Sequence, residues 1–122
     1  MTAHVIYSAI DKTAPATLSK KIIKSIIREK IGFRGLLITD DLSMKALAGT
    51  LTEKCTQALR AGCDMLLHCN GVLDEMREVA AAAGDLKGRA LRRAKSALKS
   101  ARKPQAFDKK AALKDLDLVV ST

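Results

Sequence analysis

Two largely apolar runs of strand length most constrain how this chain can fold. The first is Gly35-Leu36-Leu37-Ile38-Thr39, and the second spans residues 63–69. Apolar residues in the first run do not alternate with polar ones, which is typical of a parallel strand buried on both faces. Each run follows a segment with helical apolar spacing that ends at a glycine, Gly32 or Gly62, where a left-handed terminating residue is expected. The pattern therefore predicts parallel βαβ units.

The rest of the chain extends this alternation. Residues 1–7 have the composition of the end of a further strand. Thr17 or Ser19 is a suitable N-cap for the helix that follows. The segments with helical spacing are residues 17–30, 52–60, 72–83 and 86–102. The tail from Pro104 either docks a last short helix or frays. The predicted order is β-α-β-α-β-α-α, which fits an open doubly wound sheet or a piece of a barrel.

Length and cysteine usage exclude several classes of protein. A complete (β/α)₈ barrel needs roughly 250 residues, and this chain has 122. No apolar run approaches the roughly 20 residues of a membrane-spanning helix, and residues 1–7 lack the features of a signal peptide. The three cysteines show no CxxC spacing, so we expect buried free thiols in a reducing compartment, the cytoplasm. They are Cys55, Cys63 and Cys69.

The positive charge is concentrated in the last third of the chain. Residues 86–122 carry 11 basic and 3 acidic residues, which supplies +8 of the net +9. Leu and Ala recur between the basic residues at helical spacing, so an amphipathic helix with a basic outer face is predicted. This helix is either a solvated surface or a binding module for nucleic acid or other anionic partners. It has no aromatic residue to stack on a base, which favours the solvated surface.

Chemistry in a parallel α/β sheet collects at the carboxyl ends of the strands. Four polar residues are predicted at that rim: His4, Asp40, Asp41 and His68. A carboxylate directly after a buried strand is unfavourable unless it is paired or used. Asp40 or Asp41 is therefore either functional or the N-cap of a following turn, and each histidine is either a ligand or a satisfied rim residue. Asp64 begins the last strand at the opposite rim, where a structural hydrogen-bonding role is expected.

Residues 26–44 form a long and specific motif. It reads Ile-Ile-Arg-Glu-Lys-Ile-Gly-Phe-Arg-Gly-Leu-Leu-Ile-Thr-Asp-Asp-Leu-Ser-Met. This stretch resembles the active-site signature of glycoside hydrolase family 3, and most closely that of its bacterial β-N-acetylhexosaminidases. Residues 1–5, 15–19 and 61–67 resemble the preceding barrel strand, the loop after it and the following strand. The resemblance covers about residues 1–100.

The resemblance implies a fold and an activity. The fold is a partial TIM (β/α)₈ barrel, namely its last three or so β/α units with a C-terminal helical extension. Residues 1–103 would be the C-terminal part of the catalytic domain, and residues 104–122 a tail. The activity is retaining hydrolysis of terminal N-acetylglucosamine from cell-wall muropeptides or glycosides, in peptidoglycan recycling in the cytoplasm. Asp40 would be the nucleophile, and His4, Asp41 and Met44 would bind substrate. No metal or organic cofactor is implied.

The chain also departs from the family pattern. In the family a His partnered by an Asp supplies the general acid/base from an upstream loop, and further sugar-binding residues lie upstream as well. None of these motifs occurs here, and His4 belongs to a later strand. We therefore expect a truncated chain, without about five of the eight strands of the barrel, that is inactive alone. Its expected partners are the glycoside and the missing N-terminal fragment, with no specific nucleic acid and no membrane.

Overall fold

A computed structural model describes residues 1–103 and 106–120 of the chain. It has an α/β architecture in which two strands pair in parallel. Ile38 lies opposite Met65, and Asp41 lies opposite Leu67. The parallel pairing was predicted and is confirmed. In chain order the elements are a π-helix (Ile22–Lys30), β1 (Ile38–Asp41), α1 (Leu51–Ala61), β2 (Met65–Leu67), α2 (Leu73–Ala83), α3 (Gly88–Ser100) and α4 (Lys109–Val120).

The predicted strand at residues 1–7 is wrong. The sheet within the described residues contains two strands, and this segment makes one backbone hydrogen bond to β1, from Thr2 N to Ile38 O at 2.9 Å. Two carbonyl groups further along the segment accept instead from the backbone N–H groups of Ala16 and Thr17, at 2.8 and 3.2 Å. Because the next loop takes these acceptors, the segment runs beside β1 without forming a ladder.

The first helix begins as predicted but has a wider turn. Ser19 Oγ accepts from Ile22 N at 3.1 Å, which is the hydrogen bond of an N-cap serine. Within the helix, the N–H of Ile31 donates to the carbonyl of Ile26 at 2.8 Å, five residues earlier, as in a π-helix. Gly32 has a φ of 74°, so the predicted left-handed residue at the helix end is confirmed.

Both ends of α1 are fixed by its sequence. Thr50 and Glu53 form a capping box, in which each side chain accepts from the other's backbone N–H. Gly62 ends the helix with a φ of 118°. A Cβ atom at this position would lie 3.0 Å from Cγ2 of Ile23. The glycine therefore supplies both the left-handed turn and the close approach of the first helix.

The core lies on one side of the short sheet. Leu37 and Thr39 are buried, whereas Ile38 and Asp40 between them are half-buried, and Met65 in β2 is 37% exposed. The expectation that both faces of the strands are buried is therefore wrong, because the helices cover only the side chains of alternate residues. The buried residues form two clusters: Ile23, Leu37, Ala58, Ala61 and Cys63, and separately Leu42, Leu47 and Cys55.

Asp64 has the structural role that its position predicted. Its side chain is 5% exposed and forms salt bridges with Arg28 and Arg93, each at 2.7 Å. Its Oδ2 also accepts from the backbone N–H of Leu37 at 2.9 Å. One carboxylate thus joins the first helix, the start of β1 and α3, so the basic helix α3 is anchored by one of its own arginines.

The cysteine prediction is confirmed in part. All three thiols are free, and Cys55 and Cys63 are buried, but Cys69 is exposed. Cys69 follows β2, beyond the cover of the core helices. In residues 1–103 and 106–120 no helix has the length and apolar character needed to cross a membrane. The predicted boundary after residue 103 and the end of the tail fall at positions 104–105 and 121–122, outside the described residues.

Candidate active site

The carboxylate of Asp41 is fully engaged at the end of β1. Its Oδ1 accepts from the backbone N–H groups of Ser43 and Cys69, at 3.0 and 3.1 Å, and its Oδ2 accepts from Ser43 Oγ at 2.5 Å. The hydrogen bonds from Ser43 are the main reason that the pKa of Asp41 lies below its ordinary value. Asp41 is therefore an ionised carboxylate that ties the end of β1 to the segment after β2.

The carboxylate of Asp40 accepts a single hydrogen bond within the described residues. Its Oδ1 accepts from the backbone N–H of Asp41 at 2.9 Å, and no other hydrogen bond to this carboxylate forms within the described residues. The side chain is half-buried at the carboxyl end of a parallel strand. The alternative role as cap of the following turn belongs to Asp41, which holds Ser43 N. Asp40 therefore keeps an oxygen that can attack an electrophile.

His4 lies beside the end of β1 but is fully hydrogen-bonded. Its Nε2 lies 2.9 Å from the backbone oxygen of Asp41, and its Nδ1 lies 2.8 Å from Thr17 Oγ1. A carbonyl can only accept, so Nε2 carries the proton, and in the neutral ring Nδ1 accepts from the threonine. Thr2 Oγ1 lies 3.0 Å from the same hydroxyl. The ring thus holds the N-terminal segment against β1, and its contact with a substrate stays a prediction.

Met44 and His68 differ in how far solvent reaches them. The backbone N–H of Met44 donates to the carbonyl of Asp41 at 3.2 Å, which places Met44 directly after the strand end, and the residue is 44% exposed. The His68 side chain is 5% exposed and its Nε2 lies 3.2 Å from Glu75 Oε2. That contact lacks hydrogen-bond geometry, so both ring nitrogens are buried without a hydrogen-bond partner in the described residues. Neither residue bonds to Asp40.

The sequence reasoning missed Ser43. This residue supplies two of the three hydrogen bonds to the Asp41 carboxylate. The available signal was the Asp-x-Ser spacing after the strand, since an aspartate commonly accepts from the backbone two residues on. No group of three or more His, Cys, Asp or Glu side chains is placed to hold a metal ion within residues 1–103 and 106–120.

Comparison with known proteins identifies the family. The sequence model described as "Glycosyl hydrolase family 3 N terminal domain" matches residues 1–101. The chain belongs to this family. The predicted family is therefore confirmed. Asp40, whose carboxylate accepts one hydrogen bond, lies in the motif of residues 26–44 that carried the prediction.

Curated relatives of this family 3 chain are named β-hexosaminidases. The relative from Nitrosomonas eutropha is 50% identical over 72 residues, which is 57% of this chain and 20% of the relative. That from Haemophilus influenzae is 49% identical over 72 residues, with the same coverage. The chain thus spans about a fifth of the length of these curated relatives.

Solved structures of the family share the fold. The β-N-acetylglucosaminidase from Thermotoga maritima superimposes with a TM-score of 0.64 at 36% identity, over 85% of this chain and 25% of that one. The family 3 β-N-acetylglucosaminidase from Paenibacillus sp. str. FPU-7 gives a TM-score of 0.69 at 25% identity, over 89% and 24% of the two chains. The α/β unit of this chain therefore matches about a quarter of each enzyme.

Proposed function

We propose that this family 3 chain carries the nucleophile of a retaining β-N-acetylhexosaminidase, and that Asp40 is that nucleophile. The observation that carries the proposal is the contrast at the end of β1. Asp41 is held by three hydrogen bonds, whereas Asp40 accepts one, from its neighbour's backbone. A retaining glycosidase needs a carboxylate that is fixed in position but has an oxygen free to attack.

In the proposed reaction an Asp40 oxygen attacks the anomeric carbon of the sugar. The bond from that carbon to the leaving oxygen breaks, and the leaving oxygen takes a proton from a general acid. Water then hydrolyses the glycosyl-enzyme ester, with the same acid group now acting as base. Two inversions leave the anomeric configuration unchanged. Asp40 is the residue of this chain that takes part in bond making.

The neighbours of Asp40 would position it and line the sugar site. Asp41 fixes the strand end from one side through Ser43 and Cys69, and His4 fixes it from another through the carbonyl of Asp41. The exposed side chain of Met44 follows directly and would supply an apolar wall for the sugar ring. His4, Asp41 and Met44 are thus proposed substrate-site residues.

The names of the relatives support a proposal for the substrate. The relatives are β-hexosaminidases and β-N-acetylglucosaminidases, so we propose a terminal N-acetylglucosaminide, released from cell-wall muropeptides during peptidoglycan recycling. The free cysteines agree with a reducing cytoplasm. The two strands and their helices would be the last units of a (β/α)₈ barrel, which agrees with the coverage of about a quarter of the solved enzymes.

The general acid and most of the sugar site would come from polypeptide outside this sequence. General acid catalysis typically contributes about 10²–10⁴-fold, and orientation of the substrate can supply roughly 7–11 kcal/mol of the barrier. We therefore propose that the 122-residue chain has negligible activity alone. An N-terminal fragment that pairs with it would restore turnover.

Hydrolysis of p-nitrophenyl β-N-acetylglucosaminide tests this proposal. The chain is assayed alone and after co-expression with the N-terminal part of a matched β-hexosaminidase, ending where the matching segment begins. Activity is expected only in the complex and is lost in Asp40→Asn. Asp74→Asn, on an exposed helix surface, is the matched control and retains activity. Robust hydrolysis by the chain alone, or by the Asp40→Asn complex, would overturn the assignment.

A further inference from the structure

A strongly basic cavity lies at the opposite end of the sheet from Asp40. Arg34 precedes β1, and Arg60 and Gly62 precede β2, so the cavity is at the amino ends of the strands. Its volume is about 360 Å³, at the lower end of the roughly 300–1,000 Å³ of small-ligand pockets. Seven lysine and arginine side chains line it, with Glu29 as the single acidic side chain in the lining.

The basic residues converge on the cavity from two helix surfaces. Lys24 and Arg28 lie four residues apart on the first helix, Lys20 lies just before it, and Arg89 and Arg93 are four residues apart on α3. Like charges at this spacing destabilise a helix by about 0.2–0.5 kcal/mol per pair. Apart from Arg28 and Arg93, which pair with Asp64, the stability of the fold therefore does not account for this concentration of charge.

Most of these cations lack a carboxylate partner. Arg28 and Arg93 bind Asp64. Among the described residues, no carboxylate lies within salt-bridge distance of the other five. Setting the seven cations against Glu29 and Asp64 leaves an excess of five positive charges at one concave site. The cations without a partner are Lys20, Lys24, Arg34, Arg60 and Arg89.

Two guanidinium groups are held in place by the buried carboxylate. Asp64 accepts from Arg28 Nη2 and Arg93 Nη1, and Arg28 Nη1 donates to the carbonyls of Phe33 and Gly35. Arg93 keeps its remaining N–H groups free of protein acceptors within the described residues. Positive charge and N–H donors are thus fixed before any ligand arrives, which lowers the entropic cost of binding.

We propose that this cavity binds a compact, multiply charged phosphate anion such as a diphosphate or triphosphate group. Guanidinium groups match phosphate oxygens in geometry and form strong charge-assisted hydrogen bonds with them. The lining of this part of the described chain includes no aromatic side chain on which a base could stack, and the site is a compact depression of about 360 Å³ that is partly open to solvent. A small phosphate therefore fits it better than a nucleic acid strand does.

Calorimetric titration of inorganic pyrophosphate into the 122-residue chain tests the proposal. The cavity variant is Arg60→Gln with Arg89→Gln, two exposed residues without a carboxylate partner. The control is Arg77→Gln with Arg102→Gln, which removes the same charge outside the cavity. We expect one pyrophosphate per chain, at least tenfold weaker binding in the cavity variant and less than a twofold change in the control.

Three results would overturn the proposal: no saturable binding of pyrophosphate, equal weakening in the two variants, or tighter binding of single-stranded DNA that pyrophosphate does not displace. Circular dichroism checks that each variant is folded. If the cavity variant does not fold, Lys24→Gln with Arg34→Gln takes its place, because both side chains are exposed and line the same cavity. The same tenfold loss is then expected.

Discussion

Asp40 and Asp41 are consecutive residues of β1, yet their carboxylates are used in opposite ways. Asp41 accepts three hydrogen bonds, from Ser43 N, Ser43 Oγ and Cys69 N, whereas Asp40 accepts one, from Asp41 N. Successive side chains of a strand point to opposite faces, so the two groups meet different surroundings. Asp41 stabilises the site, and Asp40 is left available for chemistry.

Substitution by asparagine separates these two roles. Asp41→Asn should lower the free energy of unfolding by about 1–3 kcal/mol. The amide nitrogen cannot accept from Ser43 Oγ, and loss of the negative charge weakens the bonds from Ser43 N and Cys69 N. Asp40→Asn should change it by no more than about 0.5 kcal/mol, as for other substitutions that break no network. Urea denaturation of both variants measures the difference. Equal losses would contradict the division of roles.

Ser43→Ala provides a second check on Asp41. It removes the hydroxyl donor but keeps the backbone donor. We therefore expect it to lose part of the unfolding free energy that Asp41→Asn loses. The double variant should be more stable than the sum of the two single losses predicts, since both act on one network. Simple additivity would indicate that Ser43 and Asp41 stabilise the chain independently.

The sequence predicted the helix ends and the strand end because their causes are local. Gly32 and Gly62 adopt the left-handed turns that their positions indicated, and Ser19 caps the first helix. The N-terminal segment was predicted wrongly because its carbonyls bond to the loop around Thr17. An apolar run shows that a segment can be extended, but not which partner its backbone takes.

The candidate site shows the same limit. The end of an apolar strand located Asp40 and Asp41, and the Asp-x-Ser spacing is a local signal for the two bonds from Ser43. The third bond to Asp41 comes from Cys69, 28 residues further along the chain, and no local pattern indicates it. The sequence likewise did not indicate the hydrogen bond of Arg93 to Asp64, 29 residues away, because nothing in the basic pattern of α3 distinguishes Arg93 from its neighbours. Contacts of this kind are set by tertiary packing.

Asp64→Asn should destabilise the chain more than Asp40→Asn, Asp41→Asn or Asp74→Asn. The change removes the charge that pairs with Arg28 and Arg93 at 2.7 Å. Breaking a buried ion pair typically costs about 3–5 kcal/mol, and we expect about 2–4 kcal/mol because Arg93 is partly exposed. Thermal or urea unfolding measures the loss.

Asp74→Asn is the matched control for Asp64. Its partner Arg77 lies at 3.0 Å, with side chains that are 90% and 69% exposed. An exposed pair of this kind contributes about 0–1 kcal/mol. A loss in Asp74→Asn as large as that in Asp64→Asn would show that charge alone, and not burial, sets the effect.

The chain should lose stability in acid through its hydrogen-bonded aspartates. Hydrogen bonds from Ser43 lower the pKa of Asp41, and those from Ser19 and Thr13 lower the pKa of Asp11. A lowered folded-state pKa gives stability above the unfolded pKa of about 4, which is lost as the pH falls through the folded value. The urea midpoint should therefore fall below about pH 4. In Asp41→Asn that fall should be smaller. If the urea midpoint of this variant fell as steeply below pH 4 as that of the unchanged chain, the role of Asp41 would be contradicted.

Gly62→Ala should destabilise the chain more than Gly71→Ala. Both glycines have positive φ, 118° and 75°, where an alanine costs about 1–2 kcal/mol. At Gly62 the new methyl group would also lie 3.0 Å from Ile23 Cγ2, whereas at Gly71 no atom lies within 4 Å. Equal losses of unfolding free energy in the two variants would mean that the Ile23 side chain moves away from the new methyl group without a cost in free energy.

The three thiols should react at very different rates. Cys69 is exposed, whereas Cys55 and Cys63 are buried, and burial raises the pKa of Cys63 to about 11 and that of Cys55 as well. The thiolate is the reactive form, so at pH 8 an aromatic disulfide reagent should modify one thiol rapidly and the other two only after denaturation. Cys69→Ser should remove the fast phase. If Cys63→Ser removed it instead, the core cluster around Cys63 would have to open to solvent faster than the reagent reacts.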